Sequence, residues 1–498
     1  MSDKHKETGG NDKIDSYLLG RDIDGLYNYM QGKQGRETLL CNMLEIWSLE
    51  KAQGMRTIFY NVFSYEEAIR KYDMIDKIMG LIVHKQELSL PIIQFIEREI
   101  SVWVMIGWTL TNQWGVRQIE ALEAIGSFLK ERHYDSGVIA IHEGICKKTF
   151  QKELSEALAH GDGYLALKLL AKISDSEQKE VLVKKAKDSI RQVEQRMQGR
   201  LYTPTNMEKI GEYYMIVDCW HDRVLYSREL CEIKDWSSLD SNLQHPHSIC
   251  REKGIYAVEN TEAGTVCFYK KKESFVKIGE LPVGRRPHRI LYDEKREMFW
   301  ALMGESQEIF GIKVVNASIE LPFRQKIEEL QSSYVRSMRI IDGRFYIVSG
   351  PGNILELSFA KDKFVVEHKY AVPPEYFSMN DMIYFQGYFW ISVYQNREYE
   401  KMPALLRLPS LNDFGTERCV DLYGTLGMKG IPYFFSWVDG KLCIPEIDTY
   451  SRIVLYDAKD GELKVNRVLY DFGKAELSDI VYSHRNDIDV REYILGTM

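Results

Sequence analysis

The spacing of hydrophobic residues changes once along the chain, near residue 200. Between residues 15 and 199 apolar residues recur every three or four positions and proline is rare, which favours helices. Beyond Gly199 the pattern becomes short alternating segments rich in Val, Ile, Tyr, Phe and Trp, separated by Gly, Asp and Asn turns, which is typical of strands. The sequence therefore predicts a disordered tail over 1–12, an α-helical domain over 13–200 and an all-β domain over 201–498.

The helical part shows three local signals but no fixed period. Pro91, closely following Ser89, predicts the start of a buried helix, and 161–163 (Gly-Asp-Gly) predicts the turn of a helical hairpin. Ser174 with Glu177 forms the spacing of a capping box before another amphipathic helix. These signals predict an irregular helical bundle or an irregular helical repeat.

The β region is a repeat in which an apolar strand, a charged turn and a second aromatic or β-branched strand recur. The residues in register at the first strand of each unit are His247, His288, Arg336, Asn380, Tyr433 and Ser478. The steps between them are 41, 48, 44, 53 and 45 residues, which suits the four-stranded blades of a propeller. Six outer strand pairs indicate six blades.

Two features bear on how the ring closes. The segment 477–484 is predicted to supply the inner strand of the blade that begins at Glu212, which would join both ends of the domain. Pro204 lies about one period before His247, so a seven-bladed ring is the alternative. The absence of a seventh outer pair favours six.

Several segments resemble a known superfamily. These segments are 213–227 (YYMIVDCWHDRVLYS), 255–269 (IYAVENTEAGTVCFY), 442–456 (LCIPEIDTYSRIVLY) and 284–300 (GRRPHRILYDEKREMFW). They are similar to blades of the six-bladed NHL, YVTN and gluconolactonase-like propellers. The resemblance covers about 290 residues and implies the fold, but it implies no single activity because propellers host many functions.

Composition narrows the class of protein. A formal net charge of -8 argues against a general nucleic-acid binder, and the Arg285–Arg289 basic patch is interpreted as a surface loop. The eight cysteines have no CxxC spacing, and the amino terminus has no secretory signal, which together predict reduced thiols and a cytoplasmic location. The longest apolar run, 100–110, is shorter than the roughly 18 residues of a membrane span.

The first residues of the inner strands converge at one mouth of a propeller channel, and this ring is the best candidate site. The predicted ligand-binding residues are His247, His288, Arg289, Arg336, Asn380, Asp381, Tyr433, Ser478 and Asp479. His247 and His288 are also candidates for an acid and base pair, or for holding a phosphate with nearby arginines.

The gluconolactonase-like resemblance implies a divalent cation, Ca²⁺ or Mg²⁺, in the channel. The oxygen-bearing candidates are Asp218, Glu259, Asn380, Asp381 and Glu446. The carboxylates at the ends of second strands have a competing interpretation, in which each caps the amides of the next turn.

The leading functional prediction is non-catalytic binding or scaffolding, in which the channel mouth takes a protein partner or a small or carbohydrate ligand. Glycan or cell-envelope assembly is one context for it. The alternative is a lactonase or esterase-type hydrolase that uses a channel metal or the His247 and His288 pair. The aromatic clusters, such as 299–300 and 389–390, are predicted to fill the spaces between blades.

Overall fold

The computed structural model describes residues 118–131, 133, 136–284, 286–315, 318–330, 334–349, 352–396, 401–448 and 450–485. The chain divides into two compact units, residues 1–156 and 157–498. The predicted tail, the helix predicted after Pro91 and Arg285 lie outside the described residues.

The described part of the first unit is helical. Helix α1 is Gln118–Glu131, and α2 is Ser136–Ala159, whose last three residues belong to the second unit. The buried face of α1 follows the helical period through Leu122, Ile125 and Leu129, none of which is exposed.

Two further helices follow α2 in the second unit. Helix α3 is Gly163–Ala171 and α4 is Glu177–Met197. Asp162 caps α3 by accepting a hydrogen bond from the Leu165 amide, while the cap of α4 is Ser176 rather than Ser174. The predicted break at 161–163 is confirmed, because α2 ends at Ala159 and α3 begins at Gly163. The cap of α4 lies two residues later than the spacing indicated.

Six antiparallel sheets, each running in chain order from an inner to an outer strand, form the rest of this unit. Blade 1 comprises β1 (Pro204–Ile210), β2 (Tyr213–Asp218), β3 (Arg223–Ser227) and β4 (Ser237–Asp240). Blade 2 comprises β5 (Ile249–Glu252), β6 (Ile255–Asn260), β7 (Thr265–Lys271) and β8 (Phe275–Pro282). Blade 3 comprises β9 (Pro287–Asp293), β10 (Met298–Met303), β11 (Glu308–Val315) and β12 (Ser318–Lys326).

The other three blades repeat this order. Blade 4 comprises β13 (Val335–Ile341), β14 (Arg344–Ser349), β15 (Asn353–Ala360) and β16 (Lys363–Ala371). Blade 5 comprises β17 (Ser378–Phe385), β18 (Tyr388–Gln395), β19 (Lys401–Leu408) and β20 (Val420–Asp421). Blade 6 comprises β21 (Ile431–Pro432), β22 (Ser436–Val438), β23 (Lys441–Ile447), β24 (Tyr450–Lys459) and β25 (Glu462–Lys474). The prediction of a six-bladed propeller is confirmed.

Apolar cores fill the spaces between successive blades, and blade 6 packs against blade 1 to close the ring. Phe299, Trp300, Trp390 and Phe435 are buried in these cores, as predicted for the aromatic clusters. Trp220 is the exception, with 47% of its surface exposed.

The prediction of how the ring closes was wrong. Leu477–Tyr482 is a helix, α5, so Ser478 and Asp479 do not begin an inner strand. The physical reason is a capping box, in which Asp479 accepts the Glu476 amide at 2.8 Å and starts a helix instead. The segment beginning at Pro204 supplies the inner strand of blade 1, and the ring therefore needs neither a seventh blade nor a strand from the carboxyl end.

Asp479 instead joins α5 to the residues before blade 1. The Nε of Arg200 donates to both carboxylate oxygens of Asp479, at 2.8 and 3.0 Å. The ring of Tyr482 meets His221, on the turn between β2 and β3, at 4.7 Å. None of the described helices is both long and apolar enough to cross a membrane.

Candidate ligand-binding site at the channel mouth

Hydrogen bonds from one blade to the next run around the mouth of the channel. The Thr205 hydroxyl donates to the His247 carbonyl at 2.9 Å, and the Thr261 hydroxyl donates to the Pro287 carbonyl at 2.8 Å. Further along the ring, Asn380 Nδ2 donates to the Pro432 carbonyl at 2.9 Å. These bonds hold the inner strands in register, so some of the predicted mouth residues have a structural role.

The structure brings three of the predicted residues, His247, His288 and Tyr433, together. The rings of His247 and His288, from blades 2 and 3, lie 4.0 Å apart between centroids with a 30° angle between their planes. Tyr433, from blade 6, lies 6.1 Å from His247 between ring centroids, and its hydroxyl is 3.4 Å from His288 Nε2. Blades 3 and 6 are opposite in the ring, so this contact spans the channel.

The hydrogen bonds define which nitrogen of each imidazole carries the proton. His288 Nδ1 lies 2.9 Å from the Arg336 carbonyl, which can only accept, so Nδ1 is the donor. His247 Nδ1 lies 2.9 Å from the Thr261 hydroxyl, whose own proton goes to Pro287, so this Nδ1 donates as well. Both Nε2 atoms are therefore acceptors in the neutral rings.

Burial keeps these two rings neutral. It lowers the pKa of both His247 and His288 well below the ordinary value, and for His288 the positive charge of Arg336 acts in the same direction. Two imidazolium rings in contact would also repel each other. The Nε2 of His288 accepts from Tyr433, and the Nε2 of His247 faces Cys219 Sγ at 3.6 Å.

The thiol and the phenol beside these rings are both protonated. Burial raises the pKa of Cys219 and of Tyr433 well above their ordinary values. A buried thiol among carboxylates is a poor nucleophile, because the reactive species is the thiolate.

Positive charge at the mouth comes from arginines. Arg336 has its guanidinium carbon 5.2 Å from the centroid of the Tyr334 ring and 5.1 Å from that of Tyr394. Arg286 is neutralised by an ion pair with Glu262, with Glu305 at 3.7 Å.

Arg289 and Asp381 lie one residue further along the inner strands and differ in their pairing. Asp381 forms an ion pair with Arg339 and accepts hydrogen bonds from the Ser337 hydroxyl at 2.6 Å and the Phe435 amide at 2.9 Å. Arg289 crosses the channel, with its guanidinium carbon 4.3 Å from the centroid of the Phe434 ring of blade 6.

The remaining metal candidates bind backbone amides. Asp218 accepts from the Tyr202 and Thr203 amides, Glu259 from those of His247 and Ser248, and Glu446 from those of Lys429 and Gly430. Each carboxylate thus caps the segment that enters the inner strand of its own blade. The sequence analysis had predicted instead that each would cap the turn after its own strand. No cluster of three His, Cys, Asp or Glu residues suited to a metal occurs among the described residues.

Sequence reasoning missed several residues of this site. Tyr334 and Tyr394 hold Arg336, and Thr205 and Thr261 hold the histidine blades. One signal was present in the sequence, the Pro-His pair that occurs twice. In the structure the residues before the two pairs, His245 and Arg286, have the same left-handed φ of 52°. The repeated X-Pro-His motif therefore marks a shared entry turn into β5 and β9.

Comparisons with known proteins give distant propellers. No family model matches the chain, and no curated protein matches it. A putative 6-phosphogluconolactonase from Bacteroides fragilis NCTC 9343 is 13% identical, with a TM-score of 0.41 over 54% of this chain and 85% of that one. A similar protein from Bacteroides uniformis ATCC 8492 is 14% identical, with a TM-score of 0.39 over 53% and 84%.

A third solved structure, a catalytically inactive variant of virginiamycin B lyase from Staphylococcus aureus, is 9% identical, with a TM-score of 0.37 over 53% of this chain and 83% of that one. At these identities the likenesses concern the fold and say nothing about the reaction. The six blades confirm the six-bladed propeller fold that the resemblance to NHL, YVTN and gluconolactonase-like proteins implied.

Proposed function

We propose that the propeller binds a small ligand at the channel mouth without transforming it. The observation that carries this proposal is the convergence of His247, His288, Tyr433 and Arg336 from four different blades. A concave site with a few convergent polar groups among aromatic rings is the usual form of a small-ligand site.

The protonation states favour binding over catalysis. The Nε2 of His288 faces a phenol and that of His247 faces a thiol, and both of these donors stay protonated. A general base needs a pKa near the working pH, whereas the pKa of each of these histidines lies well below it.

A carbohydrate is one ligand class that suits the rim. Trp220 is exposed, and its ring lies 4.7 Å from that of His245, two residues before His247. An exposed indole can stack on a sugar ring. This supports a carbohydrate ligand, and with it a role in glycan or cell-envelope assembly or in recognition of a glycosylated partner.

We retain the cytoplasm as the proposed compartment. The seven cysteines among the described residues are all free thiols, and three of them, Cys219, Cys267 and Cys443, are buried. Unpaired thiols are typical of reducing compartments.

The second candidate function is hydrolysis of a lactone or ester. It is favoured by the pair of His288 and Tyr433, because an imidazole held by a backbone carbonyl and facing a phenol at 3.4 Å has the arrangement of a base and an acid. A stoichiometric divalent ion, together with turnover that His288→Ala or Asp381→Ala abolishes, would favour this candidate over binding alone.

A ligand-observed NMR screen tests the binding proposal. The panel contains neutral, anionic and cationic small polar compounds, measured against the full chain and against the variant with both His247→Ala and His288→Ala. We expect at least one compound to bind the unaltered protein and to lose that binding in the double variant, whose folding is verified by circular dichroism. If no compound binds, or if all bind the double variant equally, the proposal fails.

A further inference from the structure

We propose that the ligand at the mouth carries an oxyanion, a carboxylate or a phosphate, which Arg336 binds. This inference rests on the proposed function and specifies the ligand class of the same site. The shared chemistry is a delocalised anion whose two oxygens match the fork of a guanidinium.

The surroundings of Arg336 leave its N–H groups available for such a group. Tyr334 and Tyr394 each interact with the guanidinium through an aromatic ring, with centroids 5.2 and 5.1 Å from its carbon. Arg336 forms no ion pair with any described residue, and its hydrogen bond to the Tyr433 hydroxyl uses only part of its five N–H donors. A guanidinium held by aromatic rings and lacking a carboxylate has lost little of its capacity to bind an anion.

The neighbouring arginines of the channel, Arg286 and Arg339, each form an ion pair with a carboxylate. Arg286 has Glu262, and Arg339 has Asp381. Burial acts to raise the pKa of Glu262, but the hydrogen bond from His245 and the charge of Arg286 lower it to about 2, so this carboxylate is charged at neutral pH. Of these four channel arginines, Arg336 and Arg289 are the two that form no ion pair with a described residue.

Arg289 provides a second, independent observation. It is only 4% exposed, yet its Nε and Nη1 have no hydrogen-bond partner among the described residues. Burial, with the nearby charge of Arg339, lowers its pKa to about 10 although Asp381 and Glu208 oppose the change, so it remains protonated at neutral pH. A buried cation with unpaired donors is costly unless a counter-charge approaches it, and a bound anion reduces this cost.

The two histidines do not supply this charge, because burial keeps both rings neutral. The two neutral rings lie against each other with a 30° tilt, and His288 donates to the Arg336 backbone carbonyl at 2.9 Å. The attraction for an anion is thus expected to persist across neutral pH instead of following histidine titration.

Calorimetric titration of the full chain with three probes tests the inference. The probes are inorganic phosphate, glucuronate and neutral glucose, and they separate a phosphate source from a carboxylate source and both from recognition of the sugar ring alone. We expect phosphate or glucuronate to bind more tightly than glucose, and Arg336→Gln to weaken that binding at least tenfold. Arg336→Lys, which keeps the charge and loses the fork, should retain part of the affinity.

The matched control is Arg324→Gln. Arg324 lies on the outer strand β12, where it pairs with Glu308 at 2.7 Å and is largely exposed, so this variant removes the same charge far from the channel. It should bind the probes like the unaltered protein. Arg289→Gln serves as the second variant if Arg336→Gln fails to fold, and it should also weaken anion binding.

The outcomes distinguish the inference from the proposed function. If neutral compounds bind and lose binding in the double histidine variant while phosphate and glucuronate do not bind, the anion inference is wrong and ligand binding at the mouth stands. Anion binding that is equal in the unaltered protein, Arg336→Gln and Arg289→Gln also overturns it. If no probe and no panel compound binds, both fail.

Discussion

Blades 1, 2 and 6 each have a carboxylate at the end of the second strand, but its pairing in blades 1 and 6 differs from that in blade 2. Asp218, Glu446 and Glu259 each end a second strand and cap backbone amides at the mouth. The residue paired with each across the sheet is Arg223 in blade 1 and Arg452 in blade 6, but Val266 in blade 2.

This difference changes the charge of the buried group. Burial acts to raise the pKa of Asp218, but His221 and Arg223 outweigh it and hold the pKa below its ordinary value. Burial raises the pKa of Glu259 to about 8, although its hydrogen bonds oppose the change. An equivalent position can therefore hold a permanent ion pair in one blade and a titrating carboxyl, 3.9 Å from His247, in another.

The largest effect is expected when an arginine partner is removed. Arg223→Met leaves the buried Asp218 charge without its ion-pair partner, and we expect the free energy of unfolding to fall by about 3–5 kcal/mol, measured by guanidinium denaturation. Arg228→Met, on an exposed side chain of the same blade, should change it by less than about 0.5 kcal/mol.

A double variant separates charge from capping. The Tyr202 and Thr203 amides donate to Oδ1 of Asp218, whereas Arg223 and His221 contact Oδ2. Adding Asp218→Asn to Arg223→Met keeps the cap and removes the charge, so it should restore much of the lost stability. Failure to recover would mean that the arginine acts through packing instead.

Glu259 is expected to make the free energy of unfolding fall as pH rises, which is opposite to the effect of Asp218, whose pKa is lowered on folding. A carboxyl whose pKa rises from 4.5 to about 8 on folding contributes stability that is full below about pH 4.5 and lost as pH rises through about 8. Glu259→Gln keeps acceptors for the His247 and Ser248 amides and has no such dependence. Between pH 5 and pH 9 the stability of this variant relative to the unaltered protein should therefore rise by about a few kcal/mol, which is measured as a rise in its relative melting temperature.

Glu446→Gln is the matched control for that prediction. It breaks the ion pair with Arg452 at 3.2 Å, so it should lower the melting temperature at both pH 7 and pH 9. Equal pH profiles for the two variants would contradict the comparison between blades. Glu305, whose pKa burial also raises to about 8, titrates in the same window, so differences between variants are the quantity to measure.

A smaller effect is expected at Ser248, which links the blade 2 carboxyl to blade 3. Its hydroxyl donates to Glu259 at 3.0 Å and accepts from the Ile290 amide at 2.9 Å. Ser248→Ala should cost about 1–2 kcal/mol of unfolding free energy, because the buried amide loses its acceptor. Ser358→Ala, which removes a bond to the exposed Glu367, should cost less than about 0.5 kcal/mol. A larger loss at Ser358 would show that hydroxyl removal itself is the cause.

The repeat made the blade count and the neighbouring positions of His247 and His288 predictable, because strand periodicity and turn residues are local properties of the sequence. The same reasoning assigned 477–484 to a strand, since its apolar pattern fitted the repeat. The competing signal was equally local, namely the Glu476 and Asp479 capping box that starts α5. Pro204 marked the start of the true inner strand of blade 1, but the sequence analysis interpreted it as a sign of a seventh blade.

By itself the sequence determined the six strand-rich units, the break between helices at 161–163 and the neighbouring positions of His247 and His288. Only the tertiary structure decided the chemistry of that mouth, including which arginines are neutralised, which histidine nitrogens accept and which carboxylates cap amides. The physical reason is that pairing and protonation depend on burial and on charges from blades far apart in sequence. Arg289 and Phe434 are 145 residues apart, and their contact exists only because blades 3 and 6 face each other across the channel.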